Sequence, residues 1–203
     1  MAASLTDPLT PRSIHLCVDM QRLFSAEGPW PTPWMDRVLP LIAEVVRWQP
    51  ENTVFTRFIP PQRPSDMPGR WARYYRRWHN VTGDELDSAL LTLVEPLPAL
   101  APAATIVDKR VYSPFFYANL TTVLRQRECD CVVITGAETD VCVLATVLGA
   151  IDHGYRVVLV EDAVCSSSDA GHDALMTMYR ERFTEQVEIA PAEQVLARWP
   201  RVP

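Results

Sequence analysis

Short apolar runs alternate along the chain with segments in which apolar residues recur at helical spacing. Strands are predicted at residues 14–18, 53–56, 105–108, 131–135, 156–160 and 187–189. Helices are predicted at residues 35–48, 70–79, 119–126, 140–153, 168–182 and 192–199. Strands that alternate with helices form parallel sheets covered on both faces. The pattern therefore predicts a three-layer α/β/α sandwich with a central, mostly parallel sheet.

Length and charge narrow the class of protein. A chain of 203 residues favours one domain over residues 1–203. The net charge of −6 disfavours nucleic acid as a partner, and no apolar run reaches the roughly 18 residues of a membrane helix. Five cysteines, an odd number, without a recognisable signal segment predict reduced thiols in a cytoplasmic protein.

Three chemically reactive side chains lie where predicted strands end or just beyond them. Asp19 and Lys109 follow strands directly, and Cys142 lies in the first turn after the fourth strand. Taken singly, each also fits an ordinary role, as a turn residue, an exposed lysine or a small core residue. Ligands in open α/β sheets bind beyond the carboxyl ends of the strands, so we expect the three to converge. The helix start and a nearby lysine are expected to lower the pKa of the Cys142 thiol.

The segments around these residues resemble a known family. They are VDMQRLF at 18–24, VDKRVYSPF at 107–115 and TGAETDVCV at 135–143, with Ala145-Thr146 and Glu161-Asp162-Ala163 beyond them. Together they are similar to the isochorismatase-like cysteine hydrolases, which include nicotinamidase, N-carbamoylsarcosine amidohydrolase, biuret hydrolase and ureidoacrylate amidohydrolase. The resemblance covers most of the chain and is weak only at residues 58–104.

The resemblance implies a mechanism and an assembly. It implies a triad of Asp19, Lys109 and Cys142, and a cis peptide bond between Ala137 and Glu138. The backbone N–H groups of Glu138 and Cys142 then form an oxyanion hole. Cys142 attacks a small amide, carbamoyl or ureido compound, cleaves its C–N bond and passes through a thioester. The family forms homodimers or homotetramers, which we expect here too.

No metal or other cofactor is expected. Nicotinamidases hold a metal with an Asp-x-His pair and a further histidine after the second strand. Here that segment contains Phe55-Thr56-Arg57-Phe58, and no histidine follows until His79. Glycine-rich phosphate loops are also missing from the sequence, so nucleotide binding has no support.

Several residues after the predicted strands, and Trp71 in the predicted helix at 70–79, are candidates for the pocket wall. They are Phe24, Trp30, Arg57, Trp71, Tyr112 and Phe115. Arg57 is a candidate anchor for a substrate carboxylate, while the aromatic residues fit a pocket wall and an ordinary core equally well. Residues 58–104 are expected to form a variable pocket or lid segment of the single domain.

Three other functions stay open. Isochorismatase-type hydrolysis of a vinyl ether is one, although enzymes of that type usually lack the cysteine nucleophile. The second is a binding protein without catalysis, and the third is a redox sensor in which Cys142 is oxidised reversibly. The sequence does not identify the substrate, because the pocket-forming segment falls outside the resemblance.

Overall fold

The central sheet has six parallel strands. The computed structural model describes residues 5–116 and 118–201. Its strands are β1 (Ile14–Val18), β2 (Thr53–Phe58), β3 (Thr105–Lys109), β4 (Cys131–Ala137), β5 (Arg156–Cys165) and β6 (Val187–Ala190). Their order across the sheet is β3-β2-β1-β4-β5-β6. The predicted parallel sheet is confirmed, and the strands β2 to β6 extend beyond their predicted ends.

Helices cover the sheet and complete the predicted α/β/α sandwich. They are α1 (Met35–Trp48), α2 (Gly69–Arg77), α3 (Leu97–Leu100), α4 (Leu120–Gln126), α5 (Leu144–Asp152), α6 (Asp169–Arg182) and α7 (Ala192–Ala197). The short helix α3 was not predicted. Across residues 5–116 and 118–201, no helix combines the length and apolarity needed to cross a membrane.

The chain reverses direction across the sheet next to β1. From β1 it builds outward through β2 to β3, and it then returns to place β4 on the other side of β1. Both β1 and β4 are buried along their whole length. Crevices at such switch points, beyond the carboxyl ends of the strands, are where open α/β sheets bind ligands. The topology therefore assigns the site to the ends of β1 and β4.

A buried histidine joins three adjacent strands, β2, β1 and β4. The ring of His15 on β1 lies 3.2 Å from the hydroxyl of Thr53 and 2.8 Å from the hydroxyl of Thr135. Burial lowers the pKa of His15 to about 3, so the ring is neutral. Neutral hydrogen bonds of this kind satisfy buried polar groups without introducing a charge into the sheet.

Gly136 allows β1 and β4 to approach each other closely. It pairs with Val18 at the carboxyl ends of the two strands and has a φ of +111°. A Cβ atom at this position would lie 2.1 Å from the carbonyl oxygen of Val18. Only glycine fits there, because both the conformation and the space exclude a side chain.

Residues 58–104 cross the carboxyl edge of the sheet. Gln21, just after β1, holds this segment in place. Its side-chain oxygen accepts the Phe58 N–H at 2.6 Å, and its amide nitrogen donates to the carbonyls of Phe58 and Leu91. A backbone bridge also joins Gln21 to Leu93. The irregular segment is thereby fixed to the end of β1.

Replacing Gly136 by alanine should destabilise the protein by about 3 kcal/mol or more, because the new methyl group meets β1 backbone. Gly154→Ala is the matched control, since Gly154 also has a positive φ of 78° but has no atom within 4 Å of a new Cβ. We expect Gly154→Ala to lower the free energy of unfolding by about 1 kcal/mol. Urea unfolding midpoints measure both, and equal losses would contradict the steric explanation.

Candidate active site

Asp19 begins the site directly after β1. Its φ of +49° turns the chain out of the strand. The hydroxyl of Thr56 on β2 donates to Asp19 Oδ1 at 2.6 Å, and the Asp19 N–H points back to the Thr56 carbonyl and hydroxyl oxygens, each at 3.2 Å. Two adjacent strands thus fix the carboxylate of Asp19, which is fully buried.

Lys109, the last residue of β3, reaches across the strand ends to Asp19. Its Nζ lies 2.6 Å from Asp19 Oδ2, and both side chains are fully buried. Nζ also donates to the Val111 carbonyl at 3.3 Å and lies 5.0 Å from the centre of the Phe58 ring. Burial alone would lower the pKa of Lys109, but Asp19 and Cys142 outweigh it and raise the pKa. The ammonium form is therefore the stable one.

Cys142 completes the cluster from the turn after β4. This turn, Thr139–Val143, is a π-helical turn in which the N–H groups of Val141 and Val143 both donate to the Glu138 carbonyl. The Cys142 Sγ lies 3.3 Å from Lys109 Nζ. Here "the cluster" means Asp19, Lys109 and Cys142, which the structure brings together as the sequence predicted.

The expected lowering of the Cys142 pKa was wrong. Burial raises the pKa of this thiol well above its ordinary value; Lys109 lowers it only in part, and Asp19 raises it again. Helix starts lower thiol pKa values where the sulfur is accessible. Cys142 is only 6 % exposed, so desolvation decides the sign and the resting residue is a neutral thiol.

The cluster opens into a cavity of about 320 Å³. Its lining consists of Phe24, Pro29, Trp30, Pro31, Phe58, Tyr74, Trp78, Tyr112, Glu138, Val141, Cys142 and Ser167. Cys142 is the member of the cluster that lines the cavity, while Asp19 and Lys109 lie behind it. A ligand in the cavity would therefore meet the sulfur first.

The peptide bond between Ala137 and Glu138 is cis. It lies between the end of β4 and the π-helical turn that carries Cys142. Glu138 is one of the residues that line the cavity. The carboxylate oxygen Oε2 accepts hydrogen bonds from the backbone N–H of Ser167 at 3.0 Å and from the Ser167 hydroxyl.

Comparison with known proteins identifies the family. The family profile described as "Isochorismatase domain" matches residues 13–191. The chain belongs to the isochorismatase domain family.

Individual relatives match over shorter stretches. The chain is 31 % identical over 112 residues to an uncharacterized isochorismatase family protein PncA of Bacillus subtilis, covering 54 % of this chain and 61 % of that protein. It is 29 % identical over 100 residues to the maleamate amidohydrolase of Pseudomonas putida, covering 48 % and 47 %. The chain thus spans about half the length of these curated relatives.

A solved relative matches over the whole fold. The cysteine hydrolase from Pseudomonas syringae pv. phaseolicola 1448A superposes with a TM-score of 0.72 at 25 % sequence identity. The superposition covers 98 % of this chain and 98 % of that one.

Three of the predicted pocket residues line the cavity of this family member. They are Phe24, Trp30 and Tyr112. Phe24 and Trp30 stack with their ring centres 6.0 Å apart. Tyr112 lines the cavity and is 38 % exposed. These three aromatic residues thus form part of the wall.

The other three predicted pocket residues, Arg57, Trp71 and Phe115, do not line this cavity. Arg57 lies on β2 beside Asp108 of β3, and its guanidinium binds that carboxylate at 2.7 and 2.8 Å. Trp71 packs behind the wall against Tyr112, with ring centres 4.9 Å apart. Phe115 packs against His153 at 5.0 Å. None of them is a lining residue.

Sequence reasoning missed several lining residues. Tyr74 and Trp78 lie four positions apart in and just after α2, so the amphipathic spacing of this segment could have indicated a shared face. Nothing in the sequence indicated that the Glu138 side chain or Ser167 belongs to the site. The family resemblance concerns only the backbone N–H of Glu138.

The described residues offer no ready metal site. Over 5–116 and 118–201 no three His, Cys, Asp or Glu side chains are grouped so that they could hold an ion. The described residues therefore do not supply the set of ligands that a metal ion would need.

Lys109→Met should destabilise the protein by about 3–5 kcal/mol, because it leaves the buried Asp19 carboxylate without its cation. The double variant Asp19→Asn/Lys109→Met should lose much less than the sum of the single variants. Arg57→Met, which breaks the exposed pair with Asp108, is the control and should cost about 1 kcal/mol or less. Equal losses for Lys109→Met and Arg57→Met in urea unfolding would contradict this account.

Alkylation should report the raised pKa of Cys142. We expect its reaction with iodoacetamide, followed by peptide mass spectrometry, to accelerate only at a pH above that of ordinary thiols. Asp19→Asn should move this profile to lower pH, because it removes the negative charge that opposes the thiolate. Asp108→Asn is the matched control and should leave the profile unchanged. A wild-type profile with its midpoint below pH 7 would refute the neutral resting thiol.

Proposed function

We propose that this protein is a metal-independent cysteine amidohydrolase that cleaves the C–N bond of a small amide, carbamoyl or ureido substrate. One observation carries the proposal. Cys142 lines the cavity, its sulfur lies 3.3 Å from Lys109 Nζ, and that Nζ lies 2.6 Å from the Asp19 carboxylate. A nucleophile, a fixed cation and a carboxylate base are the groups that acyl transfer requires.

In the first step Asp19 acts as general base. Because burial keeps the Cys142 thiol protonated, its proton must leave as the sulfur attacks the substrate carbonyl carbon. Asp19 accepts that proton. The ammonium of Lys109 lies between the two groups and stabilises the negative charge wherever it resides, on Asp19 before the transfer and on the sulfur after it.

The new S–C bond creates a tetrahedral intermediate with a negatively charged oxygen. In the proposed scheme the backbone N–H groups of Glu138 and Cys142 donate to this oxygen. Protonated Asp19 returns the proton to the leaving nitrogen, and the C–N bond breaks to give ammonia or an amine and a thioester on Cys142.

Hydrolysis of the thioester completes the cycle. Asp19, again a carboxylate, removes a proton from a water molecule whose oxygen attacks the thioester carbonyl. The C–S bond breaks, and the proton returns to the Cys142 sulfur. The products are a carboxylic or carbamic acid and the enzyme in its starting protonation state, so no oxidant, reductant or metal is consumed.

The similarity to a maleamate amidohydrolase and to a cysteine hydrolase supports amide hydrolysis. The cavity of about 320 Å³ supports a small substrate. The proposal extends to the domain as a whole: residues 58–104, which supply Tyr74 and Trp78, are the variable pocket wall of a single domain. The raised pKa of Cys142 argues against a redox sensor, because such sensors use accessible thiolates.

Cys142→Ala should lower ammonia release by about a thousandfold or more, because no other group lining the cavity can replace the nucleophile. The assay is a screen of small amides and ureido acids, with the variant as the blank. Cys129→Ala, which removes a half-buried thiol outside the cavity, is the matched control and should retain wild-type turnover.

Two results would contradict the proposal. Unchanged turnover of an accepted substrate by Cys142→Ala would exclude Cys142 as nucleophile. Release of pyruvate from isochorismate, with no ammonia from any amide, would favour vinyl-ether hydrolysis instead.

A further inference from the structure

Half of the residues that line the cavity are aromatic. Trp30 lies at the centre of this wall, with its ring centre 6.0 Å from that of Phe24, 6.2 Å from Tyr74 and 5.9 Å from Trp78. Tyr112 lines the same cavity. The faces of such rings carry a negative potential and attract cations, above all tetraalkylammonium groups that are weakly hydrated.

Among the described residues that line the cavity, one is acidic, Glu138. The hydrogen bonds that its carboxylate accepts all go to Oε2, from Ser166 and Ser167. Among the residues described, none donates to Oε1. The serines therefore orient the carboxylate through one of its two oxygens.

The lining of the cavity carries no cationic side chain in the part of the chain that the structure describes. None of those lining residues is lysine or arginine. The ammonium of Lys109 lies behind the cavity wall and is paired with Asp19. Arg77 packs on the Trp78 ring at 5.7 Å without lining the cavity. A carboxylate on a substrate would thus meet Glu138 without a cation to compensate it.

Burial is the main cause of the raised pKa of both lining tyrosines, and the charge of Glu138 adds to it. Burial raises the pKa of Tyr74 to about 12, and the charges near it that add to this effect include Glu138. Burial and then Cys142 and Glu138 also raise the pKa of Tyr112. Both phenols therefore stay neutral and present their rings to the cavity.

From this arrangement we infer that the cavity selects amides that carry a cationic ammonium group. The aromatic wall surrounds this group, and Glu138 pairs with it. Amides that carry a carboxylate are disfavoured. This inference rests on the proposed function for the identity of the reacting bond. It assigns Glu138 and the aromatic wall a separate role, the choice of substrate by charge.

Three amides of nearly equal size test the inference. They are betaine amide, which is cationic, its neutral isostere 3,3-dimethylbutanamide, and anionic malonamate. We expect kcat/KM to fall about tenfold or more from the cation to the neutral amide, and further to the anion. Equal values for the first two, or a preference for malonamate, would overturn the inference.

Variants then assign the preference to residues. Glu138→Gln keeps the size and hydrogen-bonding oxygen of the side chain but removes its charge, so the ratio of kcat/KM for betaine amide to that for 3,3-dimethylbutanamide should fall about tenfold. Tyr112→Leu, a change at a partly exposed position, should also lower the ratio. Glu44→Gln, on the exposed face of α1, is the matched control and should leave the ratio unchanged. An unchanged ratio in Glu138→Gln would contradict the role of Glu138.

A binding measurement separates this inference from the proposed chemistry. Choline and its neutral isostere 3,3-dimethylbutan-1-ol are titrated calorimetrically into wild type, Glu138→Gln and Glu44→Gln. Preferential binding of choline by wild type and by Glu44→Gln, reduced in Glu138→Gln, supports the inference even if no amide is hydrolysed. Equal affinity for the two alcohols would refute it even if amide hydrolysis is found.

Discussion

The buried ion pair between Lys109 and Asp19 is the interaction on which the site depends. Taking an ammonium and a carboxylate out of water costs several kcal/mol for each ion, and only close contact with further hydrogen bonds offsets that cost. The 2.6 Å contact, the Thr56 hydroxyl on Asp19 and the Val111 carbonyl on Lys109 supply both. These groups meet because β1, β2 and β3 are neighbouring parallel strands that end at one edge of the sheet. A different strand order would leave two uncompensated charges in the core.

This pair also explains how a thiol with a raised pKa can serve as a nucleophile. In the proposed reaction the proton moves from Cys142 to Asp19, so the net charge of the buried cluster does not change. Lys109 contacts both groups, at 2.6 and 3.3 Å, and a cation between the two sites stabilises the anion at either one. The raised pKa then has a consequence for function, because the thiol stays protonated until a substrate carbonyl is present to accept the sulfur.

The sequence was most informative where regular structure and chemistry coincide. Asp19, Lys109 and Cys142 could be placed because each lies at or just after the end of an apolar run, and parallel strands bring such ends together. The position of Arg57 could not be predicted in this way, because β2 does not end at Arg57 but continues through Phe58. Strand alternation then turns Arg57 towards Asp108 on β3 and Phe58 into the cavity. The sign of the Cys142 pKa shift depends on burial, and burial depends on the surrounding chain rather than on local sequence.

In our proposals, reaction and specificity belong to different parts of this fold. The cluster lies at or just after strand ends, whose positions are fixed by the sheet, whereas Tyr74 and Trp78 come from α2 and the residue that follows it. Glu138 connects the two parts. In our proposals its backbone N–H holds the substrate oxygen, and its side chain attracts the remote end of the substrate. A change of the Glu138 side chain can therefore alter the preferred charge of the substrate while the cluster behind it keeps its geometry.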